Sequence, residues 1–318
     1  MGFKVKLAKA LMKLFPSAPK YGKGMLESEA VNHRNFLDAD ETEKNKMLFE
    51  MAVAHYLNDQ RKPFDLFFPD MSLKQALQDK VVLDLGCWCG GESVSFAERW
   101  HVQTMHGIDL DRRFVKAAVM FSAERNKSVR YHFALGVGEF LPYEDGTFDA
   151  IVARDVFEHV ATLDRVLREC KRVLKPKGKL FTVFPSYYFP LGGPHLDFVS
   201  RTPFIQWFFD AGTLQQAYDE ILDSRGSDAD WYRTPKFPWQ KLSAGIGVNG
   251  TTLHTFKVLV KQVGFTNMTI FPTPLLSVSD ITVTHPKLKS VCEGLKPLLG
   301  FELLQEYLCH RIVALLIA

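Results

Sequence analysis

Between Lys80 and Phe184 the chain repeats a single pattern, a short apolar run followed by a stretch of helical spacing. The runs are KVVLDLG, VQTMHGID, VRYHFA, FDAIVA and GKLFTVF, each the length of a strand and rich in residues that suit a pleated, buried surface. Strands that alternate with helices are joined by right-handed crossovers, so the segment predicts a mostly parallel, doubly wound α/β sheet. The intervening helix is clearest over 162–174, where Leu163, Val166, Leu167, Cys170, Val173 and Leu174 repeat at helical spacing. Lys175-Pro176-Lys177-Gly178 is expected to stop it.

Around this core the sequence divides into an N-terminal helical extension (1–78), the core itself (79–185), a Pro-, Gly- and aromatic-rich insertion (186–250) and a return to the same sheet (251–318). The extension carries a helical pattern through Met47, Met51, Ala54 and Tyr56. In the insertion a helix is expected near Leu214 to Leu222, and a connection this long beside a sheet edge usually forms a lid or pocket wall. Leu253, Phe256, Val260 and Val263 mark another helix closed by Gly264; NMTIFPTPLL then reads as a strand. HRIVALLIA reads as a final buried strand, preceded by a helix at 286–308.

Hydrophobic residues at 47% and charged residues at 24% over 318 positions exclude a disordered or fibrous chain. A net charge of +3 is too small to imply a nucleic-acid partner. Cys87 and Cys89 flank Trp88 at a spacing that fits no zinc ligand pair, no metal is expected, and the five cysteines in all suggest a reducing, cytoplasmic setting. No apolar run approaches the ~20 residues of a membrane span. The leader MGFKVKLAKALMKLF, broken by Lys6, Lys9 and Lys13, argues against a signal peptide. It sets Phe3, Leu7, Leu11 and Leu14 on one helical face. Docking of that face on the protein's own domain is the preferred expectation, and weak contact of residues 3–15 with an anionic membrane surface the alternative.

The sharpest chemical signal is VVLDLGCWCGGES at 81–93. An apolar strand carries Asp84, turns at Gly86, and opens a helix at Gly90 and Gly91. In an open α/β sheet, ligands sit at the carboxyl ends of the strands beside the topological switch point. Gly86 permits close backbone approach, and the next strand ends in Gly107-Ile108-Asp109, placing a carboxylate where it can accept both hydroxyls of a ribose. A nicotinamide dinucleotide also suits a glycine loop with an acidic strand end. The turn does not match GxGxxG, however, and Asp84 sets a carboxylate where a pyrophosphate would lie; that group suits a ligand bearing an ammonium and a sulfonium.

With these motifs in order, the sequence resembles the class I S-adenosylmethionine-dependent methyltransferases, most closely from Lys80 to Phe184. The resemblance implies a Rossmann-like seven-stranded sheet with the last strand antiparallel, and S-adenosyl-L-methionine as cofactor. It implies that Asp84, Gly86, Cys87 and Gly90 wrap the methionine part and that Asp109, followed by Leu110, meets the ribose. GVGEFLPYEDGTFD (136–149) is similar to the loop edging the adenine, with Gly138 and Glu139 at its centre. RDVFEHV (154–160) is similar to the segment after the fourth strand, so that Arg154, Asp155 and His159 line the cofactor; a metal site from Asp155, Glu158 and His159 is the less favoured alternative. Two positions depart from the family pattern. Trp88 stands where the family has a glycine, and its Cβ predicts φ below zero, with the loop altered locally or the indole turned away. Val137 replaces the acidic residue that often meets the adenine amino group, leaving that contact to backbone near Gly138 and Glu139.

On the acceptor side, SYYFPLGGPHLDF follows the fifth strand and supplies Tyr187, Tyr188, His195 and Asp197. A neutral imidazole at His195 can take a proton from an acceptor hydroxyl, with Asp197 orienting it. Trp207 and the neighbouring aromatics Phe204, Phe208 and Phe209 are read as core, some of them roofing the acceptor. The segment after the fourth strand lacks the Asn- or Asp-Pro-Pro-Tyr of adenine-N6 methyltransferases, and no RNA-binding module is visible. A small-molecule, sugar or lipid-linked acceptor, methylated at oxygen, is the expectation. A cofactor-binding protein without catalysis and a nicotinamide oxidoreductase are the competing readings.

Overall fold

In the computed structural model, which describes residues 2–16, 39–125, 128–189, 196, 199–224, 248–274 and 302–318, each apolar run of the middle segment becomes a strand. These are β1 (Val81–Leu85), β2 (Thr104–Asp109), β3 (Arg130–Leu135), β4 (Phe148–Arg154) and β5 (Leu174–Pro185); β6 (Asn267–Pro274) and β7 (Cys309–Ile317) complete one seven-stranded sheet in the order β3-β2-β1-β4-β5-β7-β6. The first five pair in parallel, and β7 runs antiparallel to both β5 and β6. The winding reverses between β1 and β4, which opens a crevice at their carboxyl ends. Among the described residues no helix is long and apolar enough to cross a membrane.

The helices are α1 (Phe3–Met12), α2 (Glu41–Arg61), α3 (Leu73–Leu77), α4 (Gly91–Trp100), α5 (Arg112–Ala123), α6 (Leu163–Val173), α7 (Ala211–Asp223), α8 (Leu253–Val263) and α9 (Glu302–Leu308), with short 3₁₀ turns at Phe64–Phe67 and Ile205–Trp207. Successive strand residues point to opposite faces, and the core splits accordingly. Leu83, Ile151 and Ala153 pack with Val166, Leu167 and Cys170 of α6 and Phe256 and Val260 of α8. Val82, Ala150 and Val152 pack with Phe64, Leu73, Phe96 and Trp100 on the other side. The expected helices in the insertion and before Gly264 are α7 and α8, the latter closed by Gly264 at φ +82°. Of the expected helix at 286–308, the portion before residue 302 lies outside the described residues.

α6 ends at Val173, just ahead of Lys175-Pro176-Lys177-Gly178 as expected, but that segment is not a separate turn. β5 starts at Leu174, immediately after the helix, and absorbs these residues by a register shift against β4 between Phe148 and Ala150, with Lys177 at φ +65°. The leader does dock on its own chain, but not through the expected stripe. Val5, Ala8 and Met12 are its buried residues, packed on Leu214, Ala217 and Tyr218 of α7, while Phe3 and Leu7 face solvent. Thr202 Oγ1 donates to the Leu11 carbonyl at 2.8 Å, the Arg201 amide to Phe15 at 2.8 Å, and Lys9 pairs with Glu220 at 3.1 Å.

Candidate cofactor and acceptor site

The loop after β1 is shaped by three positive-φ residues, Gly86 (+76°), Trp88 (+46°) and Gly90 (+76°). The Gly86 and Cys87 amides both donate to the Ile108 carbonyl, at 2.9 and 3.0 Å, which ties the loop to the end of β2. A Cβ on Gly86 would lie 2.5 Å from Val156 Cγ2, and one on Gly90 2.9 Å from the Ala118 Cα. Neither side chain has room. Trp88 therefore does not reshape the loop as its Cβ predicted. It takes the left-handed conformation a glycine would adopt, and the neighbourhood holds it there. Its amide donates to Asp109 Oδ2 at 3.0 Å, and its indole lies against the His55 and Phe114 rings, with centroids 4.8 and 5.4 Å away. The indole is thereby packed between α2 and α5.

Beneath the loop, Asp84 is buried and accepts from Ser93 Oγ at 2.5 Å. Burial pushes its carboxyl up to about 8, against the Ser93 hydrogen bond, and the nearby carboxylates of Glu92, Asp109 and Asp59 push the same way. Asp109, at the end of β2, spends one lone pair of Oδ2 on Trp88 and one of Oδ1 on the Asp111 amide at 2.9 Å. A carboxylate offers about four acceptor positions, so lone pairs remain for a diol. Burial raises its pKa, against those amide bonds. Leu110 and Val137 stand exposed where β2 and β3 end, an apolar edge for a flat ring. A Cβ on Gly138 would lie 3.3 Å from Val166 Cγ1 and 3.6 Å from Leu85 Cδ1. The Glu139 carboxylate is already engaged, since Oε1 accepts the Ala161 and Thr162 amides at 3.1 and 3.2 Å ahead of α6. That leaves backbone as the polar edge of this loop.

The segment after β4 is held by buried charge. Arg154 reaches Glu92 Oε1 at 3.2 Å and Asp59 Oδ1 at 3.4 Å, and Arg99 also pairs with Asp59. Asp155, at φ +52°, pairs with Arg311 of β7. Burial alone would raise the Asp155 carboxyl, but Arg311 and Arg154 hold it below the usual range. His159 Nε2 lies 3.6 Å from Glu158 Oε1. Glu158 is buried and its Oε2 has no hydrogen-bond partner among the described residues; burial and the charge of Asp155 push its carboxyl well up. Cys87 and Cys89 are buried thiols, pushed far up by burial, and so are packing groups rather than thiolates.

Tyr187, Tyr188 and Trp207, expected on the acceptor side, lie beside one another. Tyr187 and Tyr188 meet edge-on at 5.5 Å, and Trp207 Nε1 donates to the Tyr188 carbonyl at 3.0 Å. Tyr307 of α9 joins them, 4.9 Å from Tyr188 and 5.2 Å from Trp207, a member that sequence reasoning missed because α9 is remote in the chain. His195 and Asp197 lie outside the described residues. Ser186 Oγ and His310 Nδ1 are buried without partners among the described residues at this end of the sheet, and burial drops the His310 imidazole to about 3.

A turn that a Cβ would fill, a strand-end carboxylate with acceptor positions to spare and a buried Glu158 whose Oε2 has no hydrogen-bond partner among the described residues together fit S-adenosylmethionine. A family described as "Methyltransferase domain" matches residues 83–182, the same span that builds the turn and the strand ends. Residues 83–182 thus carry a methyltransferase domain of the class I S-adenosylmethionine-dependent kind. The domain is similar to norajmaline N-methyltransferase of Rauvolfia serpentina (33% identity over 39% of this chain and 41% of that one). It is also similar to a ubiquinone biosynthesis O-methyltransferase of Xanthomonas oryzae pv. oryzae (30% identity over 52% and 62%). The chain thus spans less than two thirds of the length of these curated relatives. Among solved structures, a Haemonchus contortus phosphoethanolamine N-methyltransferase 2 in complex with S-adenosyl-L-methionine aligns over 90% of this chain and 59% of its own, with 17% identity and a TM-score of 0.48.

Proposed function

We propose that the chain transfers the methyl group of S-adenosylmethionine to an oxygen of a small-molecule, sugar or lipid-linked acceptor. The observation that carries the reading is the pairing of the Gly86 turn with Asp109, joined through the Trp88 amide at 3.0 Å, because one feature admits backbone contact and the other offers acceptors for a diol. In this reading Asp84, Gly86, Cys87 and Gly90 hold the amino-acid part, Asp109 the ribose, and Leu110, Gly138 and Glu139 the adenine edge. Asp155 and His159 line the far side, and Arg154 positions that segment through Glu92 and Asp59. The sulfonium donor, when bound, supplies an already activated methyl group. What remains for the protein is alignment, exclusion of water and removal of one proton.

Tyr187, Tyr188 and Trp207 form the acceptor wall, with Tyr307 beside them. His195 takes the proton and Asp197 orients it. The two curated relatives differ in acceptor atom by their names, so the oxygen assignment is supported by His195 alone. Turnover of labelled methyl donor against a library of metabolites, glycans and lipid-linked sugars tests the reading. Transfer to a hydroxyl, slowed but not abolished in His195→Ala, is the expected result. Binding of S-adenosylhomocysteine without turnover on any acceptor would favour a cofactor-binding protein, and transfer to nitrogen would refute the oxygen assignment.

A further inference from the structure

Helix α1 has two apolar faces, and the fold uses one. Val5, Ala8 and Met12 are buried on α7 at i, i+3 and i+7. At about 100° per residue, Phe3, Leu7, Ala10 and, continuing past the helix end, Leu14 fall on the opposite side. Phe3 is 80% exposed, Leu7 42%, Leu14 63% and Phe15 56%. Lys6 and Lys13 border this stripe on one side and Lys4 on the other, all three exposed. Between residues 2 and 26 the sequence holds Lys4, Lys6, Lys9, Lys13, Lys20 and Lys23 and no Asp or Glu. The docked helix is also firmly attached, through the Thr202, Arg201 and Lys9 contacts described above.

We propose that this outward stripe is a docking surface for an anionic lipid bilayer, with Phe3, Leu7, Leu14 and Phe15 entering the headgroup region and Lys4, Lys6 and Lys13 pairing with lipid phosphates. An exposed apolar stripe between rows of cations is the pattern of a helix lying in an interface plane. The charge selects the occupant. A second copy of this chain, placed on the same stripe by two-fold symmetry, would set lysine rows against lysine rows with no acidic residue in the segment to pair them. Anionic headgroups pair them instead. Because α1 is attached to α7 and to the turn carrying Trp207, docking holds the bilayer beside the insertion that follows β5. The inference does not depend on the acceptor assignment.

The test is co-sedimentation of the full chain with phosphatidylcholine vesicles, with and without phosphatidylglycerol. The expected result is binding to the anionic vesicles that declines with added salt and little binding to phosphatidylcholine alone. Phe3→Ser/Leu7→Ser/Leu14→Ser should weaken binding by about tenfold or more, and Lys4→Gln/Lys6→Gln/Lys13→Gln should remove the preference for anionic lipid. Both variants change exposed positions, so their melting curves and S-adenosylhomocysteine affinity should match the wild type; a variant that melts early is replaced by Leu14→Ser, which lies beyond the helix. Absence of binding to anionic vesicles at low salt would overturn the proposal. So would equal binding by the serine variant, or a dimer in solution that the serine variant dissociates.

Discussion

Replacing Gly86 by alanine tests the loop in a way that yields a number. The left-handed φ of +76° disfavours any Cβ, by about 1–2 kcal/mol for an L-residue. The added Cβ would also stand 2.5 Å from Val156 Cγ2 and 3.3 Å from Cγ1, and overpacking of this kind costs about 1–3 kcal/mol. Gly86→Ala should therefore lose about 2–5 kcal/mol in urea unfolding. The two contributions separate in a double-mutant cycle, because Val156→Ala removes both methyls that the new Cβ meets and leaves the backbone conformation in place. In that background Gly86→Ala should cost only about 1–2 kcal/mol. A loss below about 0.5 kcal/mol in the wild type, within the range of ordinary surface substitutions, would show that the turn is not built as described. A full loss in the Val156→Ala background would refute the assignment of the clash to Val156.

Asp109→Ala should weaken S-adenosylhomocysteine binding by about tenfold or more, on the scale of ~1.5–3 kcal/mol for a hydrogen bond to a charged group; unchanged affinity by calorimetry would remove Asp109 from the site. For Asp84, with its folded pKa at about 8 and an unfolded value of about 3.9, the folded state holds an extra proton between these values. Stability from this group is thus greatest at low pH and falls as pH rises through that window, by at most about 1.4 kcal/mol per pH unit. Asp84→Asn, whose amide oxygen can still accept from Ser93, should flatten that fall in urea unfolding from pH 5 to 8, and parallel slopes for the two proteins would contradict it.

How much of this was legible in the sequence follows from what each feature depends on. The strands, the switch point between β1 and β4 and the Asp109 strand end rest on local patterns of apolar and turn residues, and each appears where its pattern lies. The docking face of α1 did not follow from periodicity. The helix has two apolar faces, and only α7, about two hundred residues away, decides that Val5, Ala8 and Met12 go inward. Trp88 misled because local φ preference is outweighed by the Asp109 carboxylate and by the His55 and Phe114 rings, none of which is a neighbour in sequence. Arg311 on Asp155 and Tyr307 beside Tyr188 were missed for a related reason: β7 returns from the far end of the chain to pair with β5. Glu92 and Ser93 left a signal, as polar residues in the first turn of the helix that follows the glycine loop; they hold Arg154 and Asp84.

In the proposed reading the turn at Gly86 and the carboxylate of Asp109 together hold S-adenosylmethionine and its demethylated product. Isothermal titration of the purified chain with S-adenosylhomocysteine, and with NAD in parallel, is the decisive measurement. Saturable binding of the first at a single site, lost in Asp109→Ala and absent for the second, is the predicted outcome. Binding of NAD in its place, or of neither ligand, would contradict it.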